Sequence, residues 1–146
     1  MKTTKTIIIT GTHHTPAIEL IYLLRSDAKY DWQIHYLGHQ YPADTHISHT
    51  ITTKLKVPFY QLECGKFDRK DLLKSIFGIP KIFSSFFKSI SLIKTIKPDV
   101  VISFGGYVSV PIVAAAFFKG IPSITHEQTL TISLSTKINS LFANKV

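Results

Sequence analysis

The chain of 146 residues contains one cysteine, one tryptophan and only 9 acidic residues, against 17 lysines and arginines. A single cysteine, Cys64, excludes a framework of internal disulfides and is typical of a reducing compartment. We expect its side chain to be buried or half-buried rather than nucleophilic. The shortage of acid leaves a formal net charge of +8. That excess favours anionic partners, namely a phosphorylated substrate, an acidic membrane surface or nucleic acid.

Long apolar runs and several well-known motifs are missing as well. No segment approaches the roughly 18 uncharged apolar residues of a membrane-spanning helix, and the apolar stretch near the N-terminus is too short for a signal-peptide core. The dinucleotide fingerprint G-x-G-x-x-G, H-E-x-x-H and C-x-x-C are absent, so we predict no cofactor and no protein-bound metal. No nucleic-acid-binding motif accompanies the charge, and we expect no nucleic-acid partner.

What the sequence does contain is the composition of a globular domain, with 45% hydrophobic and 18% charged residues. Short apolar or alternating runs predict strands at Thr6–Thr10, Trp32–Leu37, Phe59–Leu62, Val100–Phe104 and Ser123–Thr125. Segments with helical spacing separate them. Strands that alternate with helices predict one α/β domain over residues 1–146, a Rossmann-like doubly wound parallel sheet.

The helices are predicted from spacing and from start and stop residues. Pro16 suits the first turn of a helix, with Thr15 as its N-cap. The predicted helical segments are Ala17–Arg25, a helix after Pro42, Lys66–Lys97 in two pieces broken near Gly78–Pro80, Val108–Lys119 closed by Gly120, and Ser135–Asn144. The chain stops in or just after a helical pattern, so we expect it to be a domain of something longer.

Two glycine-containing turns each follow a predicted strand and precede a predicted helix. The first is Gly11-Thr12-His13-His14-Thr15-Pro16, and the second is Gly105-Gly106-Tyr107-Val108-Ser109. Amide groups and the helix dipole make such turns anion sites, and the two histidines add possible bases near neutral pH. Both turns lie at the carboxyl ends of strands, where parallel sheets bind ligands. The alternative for each is a tight turn with no ligand.

A third polar cluster, His126-Glu127-Gln128, ends the last predicted strand. Three consecutive polar side chains after a buried strand are costly unless they are solvated or paired. Their position suggests contact with a hydroxyl-rich ligand, and an ordinary polar loop is the alternative.

The segment Lys66–Lys97 is basic and rich in phenylalanine. Its cations are Lys66, Arg69, Lys70, Lys74, Lys81, Lys88, Lys94 and Lys97, and they are interleaved with apolar side chains that include Phe77 and Phe83. Basic residues beside apolar and aromatic ones suit a helix that lies on an anionic membrane. The alternative is an amphipathic core helix with a solvated basic face. As membrane-facing residues we predict Lys66, Arg69, Lys70, Lys74, Phe77, Lys81 and Phe83.

These motifs together resemble the N-terminal half of the MurG family. PDVVISFGGYVSVPIVAAA, GIPSITHEQ and STKINSLFANKV follow in the family's order and spacing, and Val57-Pro58-Phe59-Tyr60 through Gly65-Lys66 is similar to a further family segment. The resemblance implies a two-domain GT-B glycosyltransferase. Its N-terminal domain takes a lipid-linked diphosphate sugar acceptor at the cytoplasmic face of the plasma membrane. Its C-terminal domain, absent here, takes UDP-N-acetylglucosamine.

The resemblance also implies roles for individual residues. Gly11, Thr12, His13 and Pro16 match the first loop, in which His13 is the candidate catalytic base, and Gly11, Thr12 and His14 are predicted to bind the acceptor diphosphate. Gly105, Gly106, Tyr107 and Ser109 match a loop that helps to hold the acceptor diphosphate, and His126, Glu127 and Gln128 match a motif near the acceptor sugar or the interdomain cleft.

Three departures separate this chain from the family pattern. The first loop lacks two glycines before His13, Thr129 stands where asparagine is expected, and Thr131-Ile132-Ser133 replaces the usual proline-glycine approach to the next helix. The implied function is transfer of N-acetylglucosamine to a polyprenyl-diphosphate-linked sugar in cell-wall precursor synthesis, with this chain inactive alone. The alternative is a non-catalytic membrane-recruiting subunit of a two-chain N-acetylglucosaminyltransferase.

Overall fold

The computed structural model describes residues 2–12, 14–39, 50–65 and 72–146, without the side chains of residues 50 and 72–77. In chain order the elements are β1 (Thr3–Thr10), α1 (His14–Arg25), β2 (Tyr30–Gly38), a π-helical turn (Thr50–Lys54), β3 (Phe59–Gln61), α2 (Leu72–Ile96), β4 (Val100–Ser103), α3 (Ser109–Phe118), β5 (Ser123–Thr125) and α4 (Leu134–Asn139). Each predicted strand is present, with ends that differ by a few residues.

All neighbouring strands pair in parallel, in the order β3-β2-β1-β4-β5. From β1 the chain moves outward to β2 and β3, and then crosses back to build β4 and β5 on the other side. The connections therefore diverge between β1 and β4, which is the topological switch point where open α/β sheets leave a crevice for ligands. This arrangement confirms the predicted doubly wound sheet.

The alternation of side chains along β1 builds a core on each face of the sheet. Ile7 and Ile9 are buried with Ile21 of α1 on one face. Ile8 is buried with Ile112 of α3 on the other face. A central parallel strand is covered on both sides, so its sequence is an unbroken apolar run rather than an alternating one.

The long helix α2 is continuous, and the predicted break near Gly78–Pro80 is wrong. Pro80 lies inside the helix. Proline keeps a helical φ but removes one hydrogen bond and crowds the preceding turn, at a cost of about 3 kcal/mol. The helix beyond it buries Ser85, Ser89 and Ile93, and packing of this kind outweighs a local cost of that size.

Three smaller helix predictions are also corrected or fall outside the described residues. Helix α1 begins at His14, so Thr15 lies within it and is not its N-cap. Helix α4 ends at Asn139 because the following chain turns to pair with β5, where the Asn144 N–H donates to the Ser123 carbonyl at 2.9 Å. The helix predicted after Pro42 falls largely on residues 40–49, which lie outside the described part of the chain.

Candidate functional site

The two predicted glycine loops lie side by side at the switch point. The Thr12 N–H donates to the Gly105 carbonyl at 3.2 Å, and the Phe104 N–H donates to the Thr10 carbonyl at 2.8 Å. Strands β1 and β4 are paired up to Thr10, so their loops leave the sheet at the same level. The structure therefore brings the first two predicted clusters together at one crevice.

Close packing explains why glycine stands at the tightest positions of these loops. Gly106 has φ +81°, and a Cβ atom there would collide with the Thr12 side chain. Gly11 has φ +142°, and its Cβ would lie 3.0 Å from the Gly105 carbonyl oxygen. Residues other than glycine rarely adopt such φ values. Both the backbone conformation and the contact between the loops therefore require glycine.

Several loop amides are already used within the protein. Besides that of Thr12, the Gly105 N–H donates to Ser103 Oγ at 3.1 Å and the Ser109 N–H to the Gly106 carbonyl at 3.0 Å. Gly106 itself is half-exposed, whereas Gly11 and Gly105 are buried, so Gly106 is the loop glycine that an anion can reach most easily. The loops consequently offer fewer backbone donors than their glycine content suggests, and the N-terminal end of α3 carries more of the attraction for an anion.

Ser109 is fully buried and shapes the second loop. Its hydroxyl donates to the Gly106 carbonyl at 2.7 Å and accepts from Asn139 Nδ2 at 2.8 Å. Asn139 of α4 is also fully buried. Its side chain therefore fixes the second loop through the Ser109 hydroxyl. We therefore assign Ser109 to the shape of the loop rather than to ligand contact. Asn139 was not predicted, and its only signal was an asparagine within a short helical pattern.

His14 anchors the first loop from beneath. Its Nδ1 lies 2.9 Å from the Tyr36 hydroxyl, which donates to the Gly11 carbonyl at 3.1 Å. That hydroxyl has one hydrogen, so when it donates to Gly11 its oxygen accepts from the Nδ1–H of His14. Burial raises the pKa of Tyr36 and keeps the hydroxyl protonated. His13, the predicted base, lies outside the described residues.

The third cluster separates into two exposed side chains and one anchored carboxylate. His126 and Gln128 are exposed, and the His126 ring lies 5.7 Å from the Phe104 ring, next to the second loop. Glu127 instead accepts hydrogen bonds from residues further along its own loop. These donors are the N–H and hydroxyl of Thr129, the N–H of Ser133 and the hydroxyl of Thr136, at 2.8–3.2 Å.

The hydrogen bonds to Glu127 hold its pKa well below the ordinary value, with those from Thr136 and Thr129 contributing most. A carboxyl group with a lowered folded pKa stabilises the fold above its unfolded pKa, and this contribution is lost as the pH falls through the folded pKa. At neutral pH the ionised Glu127 carboxylate therefore holds the segment from Glu127 to Thr136 in place through these hydrogen bonds.

Acidification is expected to loosen this loop. The amide signals of Thr129 and Ser133 should keep their positions through pH 4.5, the ordinary glutamate pKa, and should move only as the pH approaches the much lower pKa of Glu127 in the folded state. Two-dimensional NMR would follow them. In Glu127→Gln the two signals should lack this titration, with Glu19→Gln in the exposed part of α1 as the matched control. A pH response that persists in Glu127→Gln would remove the carboxylate as its cause.

The predicted membrane-facing residues are described only in part. Lys81 and Phe83 are exposed on α2, Phe83 with 61% of its surface. Of the others, Lys66, Arg69 and Lys70 lie outside the described residues, and Lys74 and Phe77 lie in α2 with side chains that are not described. Sequence reasoning missed Phe118 of α3, which is also exposed and contacts Phe86 of α2 with ring centroids 5.8 Å apart. The exposed apolar surface thus extends over two helices.

Two searches of the described residues give negative findings. No helix in this part of the chain is long and apolar enough to cross a membrane. No group of three or more histidine, cysteine, aspartate or glutamate side chains within the described ranges could hold a metal ion. What the described crevice offers is a backbone amide, a helix N-terminus and exposed imidazole and amide side chains, which suits an anion joined to a hydroxyl-rich group.

Comparison with protein families gives a match over nearly the whole chain. The model of the glycosyltransferase family 28 N-terminal domain matches residues 6–146. A UDP-N-acetylglucosamine–N-acetylmuramyl-(pentapeptide) pyrophosphoryl-undecaprenol N-acetylglucosamine transferase of Lachnospira eligens is 37% identical over 97% of this chain and 39% of its own length. A transferase of the same name from Bacillus thuringiensis is 35% identical, over 97% of this chain and 40% of its own. The chain thus spans about two-fifths of these relatives.

Solved structures agree with this result. The crystal structure of Acinetobacter baumannii MurG superimposes with a TM-score of 0.75 and 25% identity, over 96% of this chain and 40% of that one. A UDP-N-acetylglucosamine 2-epimerase superimposes with a TM-score of 0.66 and 20% identity, over 99% of this chain and 39% of that one. The second likeness concerns the fold alone.

Proposed function

This chain belongs to glycosyltransferase family 28 through its N-terminal domain, and we propose that it is the acceptor-binding half of an inverting N-acetylglucosaminyltransferase of cell-wall precursor synthesis. The acceptor is a polyprenyl-diphosphate-linked sugar, and the donor is UDP-N-acetylglucosamine, held by a second domain. The observation that carries the proposal is the contact between the two glycine loops at the switch point, where Thr12 meets Gly105 and Gly106. The relatives are named as transferases that act on a pyrophosphoryl-undecaprenol acceptor. We propose that the diphosphate of such an acceptor binds in this crevice.

Charge supports the same assignment. The chain has a formal net charge of +8, and a diphosphate is strongly anionic. The N-terminal end of α3 and the Gly106 amide face this anion, which holds the acceptor in one position and so orients its sugar hydroxyl. His126 and Gln128 are exposed beside the loop and take the sugar.

The chemistry is a displacement at the anomeric carbon of the donor sugar. The acceptor hydroxyl attacks that carbon, its proton passes to His13, and the bond to the UDP oxygen breaks, with UDP leaving as an anion. An imidazole with a pKa near 6.5 suits a base at neutral pH. The Nδ1 atom of His14 cannot serve as the base instead of His13 in this geometry, because it is hydrogen-bonded to the Tyr36 hydroxyl.

Measuring acceptor binding and sugar transfer separately tests whether this chain binds only the acceptor and needs a second domain for the donor. The purified chain should bind a soluble short-chain analogue of the lipid-linked acceptor and should not transfer N-acetylglucosamine to it from UDP-N-acetylglucosamine. Calorimetry and mass spectrometry of the acceptor measure the two steps. Transfer by the chain alone would contradict the proposal. Transfer that begins only when a separate donor-domain protein is added would support the two-chain arrangement.

We further propose that the domain works at the cytoplasmic face of the plasma membrane through the exposed surface of α2 and α3. Phe83 and Phe87 expose 61% and 64% of their surfaces, and Lys81 is exposed on the same helix. Aromatic side chains that enter the interface together with lysines that meet anionic headgroups are the components of peripheral membrane binding, each lysine contributing about 1 kcal/mol near the surface.

Vesicle flotation measures this binding. The chain should float with vesicles that contain acidic lipid, and the bound fraction should fall with salt. Phe83→Ser combined with Lys81→Glu should weaken binding more than tenfold, since it removes an apolar anchor and reverses a charge worth about 1 kcal/mol. The matched control is Leu23→Ser with Lys29→Glu, at exposed positions in and just after α1 on the opposite face. Equal weakening by both pairs would contradict the assigned surface.

A further inference from the structure

A second cavity adjoins the glycine loops on the side of α2. It has a volume of about 230 Å³ and is lined mainly by apolar groups of Ile82, Tyr107, Val110, Leu134 and Ile138, together with Cys64. Pockets for complete drug-sized ligands measure roughly 300–1,000 Å³. This cavity therefore suits a hydrocarbon fragment of a larger ligand.

Four parts of the chain converge on this cavity. Cys64 follows β3, Ile82 belongs to α2, Val110 to the first turn of α3, and Ile138 to α4. Gly65 also lines the cavity and lies close against α2, since a Cβ atom on Gly65 would collide with the backbone of Gly78. The cavity is thus a built feature of the carboxyl edge of the sheet.

Tyr107 connects the cavity with the anion crevice. It is the residue that follows Gly106 in the second loop, and it also lines the cavity. On the other side, α2 exposes Ile79 and Phe83, which are four residues apart and share one face of the helix, and Ile79 lies one turn before Ile82. An elongated molecule whose anionic end lies at Gly106 can therefore place its adjacent carbons in the cavity and continue along the apolar surface of α2.

We propose that this cavity holds the first isoprene units of the lipid, those bonded directly to the diphosphate. This inference rests on the proposed function, which places the diphosphate at the glycine loops. A branched apolar chain fits a cavity lined by branched side chains, and each buried methylene strengthens binding about fourfold. The domain would then recognise the junction between diphosphate and lipid, in addition to the sugar and the membrane surface.

Cys64 offers a direct probe because it is the one cysteine in the chain and lines the cavity. Burial raises the pKa of its thiol, so its alkylation by iodoacetamide is measured at mildly alkaline pH by mass spectrometry. Farnesyl diphosphate, kept below its micelle concentration, should slow alkylation at least tenfold at saturation. Inorganic pyrophosphate should slow it less than twofold, although it binds the same loops.

A pair of serine substitutions localises the protection. Ser135→Leu places a larger side chain at the cavity wall and should abolish the protection by farnesyl diphosphate. Ser140→Leu, at an exposed serine just after α4, should keep it. Protection that survives equally in Ser135→Leu would overturn the assignment to this cavity.

Two further outcomes separate this inference from the function on which it rests. If farnesyl diphosphate shifts the Gly106 amide signal but leaves the alkylation rate of Cys64 unchanged, the cavity does not hold the lipid and the acceptor site stands. If neither farnesyl diphosphate nor pyrophosphate affects the loops, the proposed acceptor site fails and the inference fails with it.

Discussion

Replacing His13 with alanine in the complete enzyme is expected to lower the turnover number about 10²–10⁴-fold, the usual contribution of a general base, with little change in acceptor binding. The physical reason is that the acceptor hydroxyl is a poor nucleophile while it keeps its proton. Acceptor binding is assigned in our proposal to the Gly106 amide and the N-terminal end of α3, so we expect it to change little. Steady-state kinetics and calorimetry on the same preparation measure the two quantities.

A matched histidine outside the crevice controls for nonspecific effects. His35 lies in β2 and its Nδ1 is 3.2 Å from the Tyr60 hydroxyl, so His35→Gln should keep turnover within a few-fold of the original. The pH profile gives a second test, because turnover should fall below about pH 6.5 as an imidazole base is protonated. An unchanged turnover number in His13→Ala would remove this residue as the base.

The second large effect is expected from Gly106→Ala, which should abolish measurable acceptor binding and destabilise the domain. A non-glycine residue at φ +81° costs roughly 1–2 kcal/mol. The added methyl group also collides with the Thr12 side chain, so the two loops must separate. Urea denaturation and acceptor titration measure the two losses.

Gly120→Ala is the control for backbone strain alone. Gly120 has φ +66°, and a Cβ atom there meets nothing within 4 Å, so this change should cost only the backbone strain of roughly 1–2 kcal/mol and leave acceptor binding intact. Removing the Thr12 side chain, with which the new methyl group collides, provides a rescue test. Thr12→Gly combined with Gly106→Ala should recover part of the stability lost in Gly106→Ala. Equal losses for the two glycine variants would show that contact between the loops is unimportant.

The sheet and the positions of the three clusters were predictable because they depend on local chemistry. A β-branched run such as Thr6–Thr10 is stable only as a buried strand, and glycines directly after such a run indicate a turn at the carboxyl end. Alternation with helices then places these turns at one edge. Contact between the first two clusters follows from topology, since β1 and β4 are neighbours in a doubly wound sheet.

The remaining features depend on tertiary contacts that no local pattern records. Pro80 breaks a helix by local rules, and only packing against α3 shows why α2 continues through it. Asn139 is an unremarkable polar residue in the sequence, yet its amide reaches Ser109, 30 positions away. The commitment of the Thr12 and Gly105 amides within the protein likewise requires coordinates. Glycine content alone therefore overstates the number of donors available to a diphosphate.

The proposed acceptor site is tested most directly by an NMR titration of the chain with a short-chain prenyl-diphosphate-linked sugar. We expect the largest amide shifts at Gly106 and its neighbours in the loops after β1 and β4, with saturation at a single site. Shifts centred instead on the groove lined by Arg25 and Lys56, with the glycine loops unaffected, would contradict it.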